Sequence, residues 1–82
     1  MTDNEILDAF TGILRGILDD ESIALTSSTA RDQVPAWDSF AYISFIAAVE
    51  QRFGVKFSVS DIESFRTVGD IAAATARLQG RS

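Results

Sequence analysis

The chain has 82 residues, 46% of them hydrophobic and 23% charged, which suits one soluble folded domain over 1–82 with a single core and is too apolar for disorder. No apolar run approaches the roughly 20 residues of a membrane span and no signal-like segment opens the chain, so a cytoplasmic location without membrane contact is expected. The net charge of −5, with scattered basic residues, argues against nucleic acid; the absence of cysteine and histidine removes disulfides, a thiolate nucleophile, cysteine-ligated metal and the commonest general base.

Thr2-Asp3-Asn4-Glu5 has the spacing of a capping box. Behind it Ile6, Leu7, Phe10, Ile13, Leu14, Ile17 and Leu18 recur three and four residues apart. This predicts an amphipathic helix over Asp3–Leu18. Gly12 and Gly16 weaken it slightly; they either permit a close approach by another element or are merely tolerated.

From Asp19 to Ala36 the periodicity stops. A loop this long in a small domain is unusual, and Ile23, Leu25 and Val34 are spaced to pin it across the core. The expectation is an ordered crossing connection, with room for a short helical turn. Pro35 biases Val34 toward an extended conformation.

The junction Val34-Pro35-Ala36-Trp37-Asp38-Ser39-Phe40 holds the only proline and the only tryptophan. Asp38 is suited to N-cap the next helix, which puts Ser39 in its first turn, where the helix field favours phosphate esters and other anions. Taken alone, Asp38-Ser39 reads first as a plain cap. On a wheel of about 100° per residue from Ser39 to Phe53, Tyr42, Phe45, Ile46, Val49 and Phe53 share the core face. A second stripe of Phe40, Ile43 and Ala47, near Glu50, is either covered by the long loop or a docking surface beside the serine.

Gly54 is placed to stop this helix in the left-handed conformation. Val55, Phe57 and Val59 alternate with polar residues, but with no partner strand an extended connector is expected. Ser60-Asp61-Ile62-Glu63 has the form of a second capping box, opening a short helix with Ile62 and Phe65 inward. Thr67-Val68-Gly69-Asp70 caps a last helix carrying Val68, Ile71, Ala72, Thr75 and Leu78 on one face, with the Thr75 hydroxyl bonding back one turn. Gly80-Arg81-Ser82 is expected to fray. The predicted fold is all-α: a small four-helix bundle, three main helices and a short one, with a long loop between helices 1 and 2.

These segments resemble those of the acyl carrier protein family. Asp38-Ser39-Phe40 is similar to the family's Asp-Ser-Leu attachment motif. Val49-Glu50-Gln51-Arg52-Phe53-Gly54-Val55-Lys56-Phe57 is similar to its helix end and turn. Phe65-Arg66-Thr67-Val68-Gly69-Asp70-Ile71 is similar to its approach to the last helix. The resemblance implies a non-catalytic, monomeric carrier with a covalent 4′-phosphopantetheine on Ser39, placed there from coenzyme A by a phosphopantetheinyl transferase. A chain without cysteine would hold acyl or aminoacyl thioesters on that borrowed thiol. A loading ligase, synthase or transferase would then read Phe40, Ile43, Ala47 and Glu50. The family's acyl cleft nominates Tyr42, Phe45, Ile46, Val49, Ile62 and Phe65. Second-helix acids, common in fatty-acid carriers, are here only Asp38 and Glu50, and Trp37, Tyr42 and Phe45 are bulky. The expected cargo is therefore short, polar or aromatic. The alternative from another class is a helical interaction module in which Asp38-Ser39 is only a cap.

Overall fold

The computed structural model describes residues 2–80, so the expected fraying of Arg81 and Ser82 lies outside the described residues. Four helices follow one another: α1 (Asp3–Leu18), α2 (Ser39–Phe53), α3 (Val59–Ser64) and α4 (Val68–Gln79), with a single 3₁₀ turn at Arg31–Gln33 inside the long first connection. None of them is long and apolar enough to cross a membrane.

α1 starts at the predicted capping box: Thr2 accepts from the Glu5 N–H, and Glu5 reaches back to the Thr2 backbone. Its apolar stripe buries Ile6, Phe10 and Leu14 completely. Gly12 and Gly16 sit on the exposed face with nothing within 4 Å of where a Cβ would stand, so no element approaches there.

Packing of α1 against α2 forms the centre of the core. The Phe10 ring meets Phe45 edge to face at 5.4 Å and Phe53 at 5.7 Å, the geometry in which ring edges meet ring faces favourably. α2 ends where Gly54 turns left-handed (φ 66°) and its N–H closes on the Glu50 carbonyl. From α4, Val68, Ile71, Ala72 and Ala74 close the core, and the fully buried Thr75 donates its hydroxyl to the Ile71 carbonyl at 2.8 Å.

The long connection is ordered because both of its halves are tied to helices. On α1, Arg15 Nε donates to the Ile23 carbonyl at 2.7 Å, and the Thr11 hydroxyl accepts from the Leu25 N–H at 3.4 Å. Ile23 and Leu25 are buried between these ties. Further on, the N–H groups of Val68 and Gly69 donate to the carbonyls of Thr29 and Ser27, both at 2.8 Å. The loop thus supplies acceptors to donors that the first turn of α4 cannot satisfy itself. A Cβ at position 69 would stand 2.5 Å from the Ser27 carbonyl oxygen, so the close approach requires glycine.

The start of α3 differs from the expectation. The capping box is Ser58 with Asp61, not Ser60 with Glu63: Asp61 N–H donates to Ser58 Oγ at 3.0 Å, and Ser58 N–H donates to Asp61 Oδ2 at 3.4 Å. Both pairs have box spacing, and tertiary contacts select the earlier one. The Glu50 carboxylate accepts the Phe57 N–H at 2.7 Å, and the buried Phe57 ring stacks edge to face on Phe65 at 5.3 Å. The chain is therefore already positioned at Phe57 and turns helical directly afterwards. Val55–Val59 forms no strand; the only bridge among the described residues is an isolated antiparallel one between Ala30 and Thr67.

Candidate functional site: the junction before α2 and the cleft beside it

Val34, extended as Pro35 demands, opens a tight turn that closes with the Trp37 N–H donating to the Val34 carbonyl at 3.2 Å. Pro35 occupies the second position of this turn. Ala36 occupies the third with φ 69°, a left-handed conformation that costs a residue with a Cβ about 1–2 kcal/mol. This strain sits three residues before the first residue of α2 and sends Trp37 inward and Asp38 outward. The Trp37 ring is buried, packed edge to face on Phe45 at 5.2 Å and tilted 6.3 Å from Tyr42.

Asp38 is the N-cap: its Oδ1 accepts the Ala41 N–H at 2.9 Å, and its carbonyl accepts from Tyr42 at 2.8 Å. The N–H groups of Ser39 and Phe40 have no acceptor among the described residues, and neither does the Ser39 hydroxyl have a partner there. Ser39 is exposed. An unengaged hydroxyl therefore stands over two unclaimed backbone donors at the positive end of a four-turn helix.

Beside it opens a cleft of about 660 Å³ between the first half of α2, the 3₁₀ turn and the α3–α4 corner. Ser39, Ile43 and Tyr42 form its α2 wall, and Ile62, Phe65 and Ile71 face them. Arg31, Asp32, Glu63 and Arg66 add charge to the lining. Tyr42 crosses this space, its hydroxyl donating to the Ile62 carbonyl at 2.9 Å while the Arg31 guanidinium lies 4.9 Å above its ring. Burial pushes the Tyr42 phenol above its ordinary value of 10.0, and the Arg31 charge opposes this. At the corner, the N–H groups of Arg66 and then Thr67 hold the Asp70 carboxyl below its ordinary value of 3.8.

Of the residues nominated for an acyl cleft, Tyr42, Ile62 and Phe65 come together on its wall. Phe45, Ile46 and Val49 do not line it: they lie behind, within the buried core, Phe45 filled in by Phe10 on one side and Trp37 on the other. The wheel placed all of them on one face without distinguishing depth. Phe40 (82% exposed) and Ile43 (57%) stand in solvent, joined by the exposed Ala47, so the loop does not cover the second stripe. Glu50 is half-buried, with its carboxylate taken by the Phe57 N–H. Sequence reasoning missed Arg31 and Arg66 on the cleft wall; neither had a signal, since isolated arginines in a loop and between two helices read as solvated charge.

Residues 37–75 match the family described as a phosphopantetheine attachment site. A solved structure, the holo acyl carrier protein from Geobacter metallireducens determined by NMR in solution, is 34% identical to this chain. The similarity covers 93% of this chain and 87% of that one, with a TM-score of 0.85. The chain belongs to the acyl carrier protein family. It is a non-catalytic carrier with a covalently attached 4′-phosphopantetheine, and it is modified by a phosphopantetheinyl transferase. No curated protein sequence matches it. The carrier's four helices follow the family's bundle, and the matched stretch opens on Trp37, the residue that seals the junction.

Proposed function

We propose that Ser39 is the residue that bears the 4′-phosphopantetheine, with Asp38 holding the helix end beneath it. The supporting observation is the exposed, unpartnered Ser39 hydroxyl beside the unclaimed N–H groups of Ser39 and Phe40. A phosphodiester there would take its negative charge into the favourable end of the α2 dipole, and the one carboxylate at this helix end, on the N-cap Asp38, is engaged by the Ala41 N–H. Bound, the group supplies the terminal thiol on which cargo rides as a thioester, which a chain without cysteine has no other means to hold. The carrier's own residues keep the helix end fixed, leave the hydroxyl open to the transferase and offer the cleft.

Residues 1–82 act as one monomeric domain in the cytoplasm, presenting acyl or aminoacyl cargo to a loading ligase, synthase or transferase. The exposed stripe of Phe40, Ile43 and Ala47 is the surface those partners read; Glu50, engaged by Phe57, serves mainly to hold the turn after α2. The cargo is short, polar or aromatic, because the cleft mixes charged with apolar walls and its α2 side is backed by the rings of Trp37 and Phe45. A long saturated chain found buried against Phe45 overturns this last point.

Mass measurement tests the attachment. Incubation with coenzyme A and a phosphopantetheinyl transferase adds one arm to the wild type and none to Ser39→Ala. A mass gain that survives Ser39→Ala rules out Ser39.

A further inference from the structure

Among the described residues, the only buried side-chain nitrogen or oxygen without a hydrogen-bond partner is the Trp37 indole Nε1. The indole is 4% exposed, so its N–H bears the desolvation penalty of an unmet donor. A phenylalanine would stack on Phe45 without that penalty. The indole also forms part of the cleft wall, two residues before the proposed attachment serine. Of the two rings packed against it, Phe45 is fully buried, whereas Tyr42 is half-buried on the same wall and tied across the cleft by one hydrogen bond. The Tyr42 hydroxyl proton is committed to Ile62, and Arg31 and Arg66 lie near by with no ion pair within 4.0 Å among the described residues. Of the donors on this part of the cleft, which Asp32 and Glu63 also line, the indole N–H is the one that is buried and unmet.

We propose that the Trp37 Nε1–H is the hydrogen-bond donor for a carbonyl oxygen that enters the cleft, reached when the Tyr42 ring swings aside. The carbonyl comes either from an amide of the arm or from an oxo or amide group on the cargo. In the second case the carrier favours oxoacyl or amide-bearing chains over saturated ones. This rests on Ser39 bearing the arm.

Trp37 is the only tryptophan, so labelled carrier gives a single indole N–H signal in an NMR spectrum. Four forms are compared: apo, holo, holo carrying butyryl and holo carrying acetoacetyl, each verified by mass. Donation to the arm moves the signal downfield from apo to holo and slows its hydrogen exchange about tenfold, as one added hydrogen bond does. Donation to the cargo produces the same change only with acetoacetyl. A signal that keeps its position and exchange rate in every loaded form overturns the proposal, as does a holo-to-loaded change equal for butyryl and acetoacetyl when apo and holo agree. Failure to load Ser39 would defeat the attachment reading and this inference together; a loaded arm with a silent indole defeats this inference alone.

Discussion

On the side of α2 that faces α1, Phe45 and Phe53 close edge to face around Phe10, and Val49 is fully buried beside them. On the side that faces the 3₁₀ turn and α3, the same helix leaves an open cleft of about 660 Å³, crossed by one hydrogen bond from Tyr42. The first side is apolar and closely packed, and it holds the helix still. The second leaves apolar surface and charge unsealed, which stabilises little but keeps space beside Ser39. Filling the cleft with larger apolar side chains would raise stability at the expense of that space, the usual conflict between stability and a working site.

The contrast can be broken at four points. Phe53→Ala, on the closed side, is expected to cost about 3–5 kcal/mol in urea unfolding, the cost of removing a buried aromatic ring; a loss below about 1 kcal/mol means the aromatic cluster does not hold α2. Gly69→Ala tests the tie between the long loop and α4. Its Cβ would meet the Ser27 carbonyl oxygen at 2.5 Å, and displacing the loop is expected to cost about 1–3 kcal/mol. An unchanged unfolding midpoint would show that the loop shifts freely.

Tyr42→Phe removes the single bond across the cleft and should cost about 1 kcal/mol, with faster amide exchange confined to α3. Exchange that stays the same in α3 would mean that Phe57 and Phe65 alone fix that helix. Ile43→Asp, on the exposed stripe, should change stability by less than about 0.5 kcal/mol. It should nonetheless slow arm transfer by the transferase roughly fivefold or more, as loss of an interface side chain worth about 1 kcal/mol does. Unfolding of this variant would instead make the stripe part of the core.

α1 and α2 were legible to the residue because their caps and periodicities agree: Thr2 with Glu5, Asp38 with Ala41, and Gly54 at the end. α3 was displaced because Ser58 and Ser60 both offer boxes of the same spacing, and what distinguishes them is the anchoring of Phe57, by its N–H on Glu50 and its ring on Phe65, which no cap pattern shows. The serine and its cap were visible for the same local reason as the helices. Depth behind the cleft was not, because a wheel gives direction around a helix but not what stands opposite it. Phe45 and Tyr42 share a face, yet one is buried against Phe10 and the other spans open space.

The sequence by itself determined the four-helix pattern, Asp38 as the cap of α2, Ser39 on its first turn and a stripe of apolar residues beyond what the core needs. These follow from spacing and from backbone donors that any helix start leaves unmet. Only the tertiary structure decided that the long loop caps α4, that Gly69 is required by Ser27, and that the cleft opens beside Ser39. It alone also placed Trp37: the left-handed turn at Ala36 carries the indole into the core, where it packs on the rings of Tyr42 and Phe45 and its N–H is left without a partner. The loop ties to α4 join residues far apart along the chain, and the burial of Trp37 is a matter of depth, so no local period encodes either.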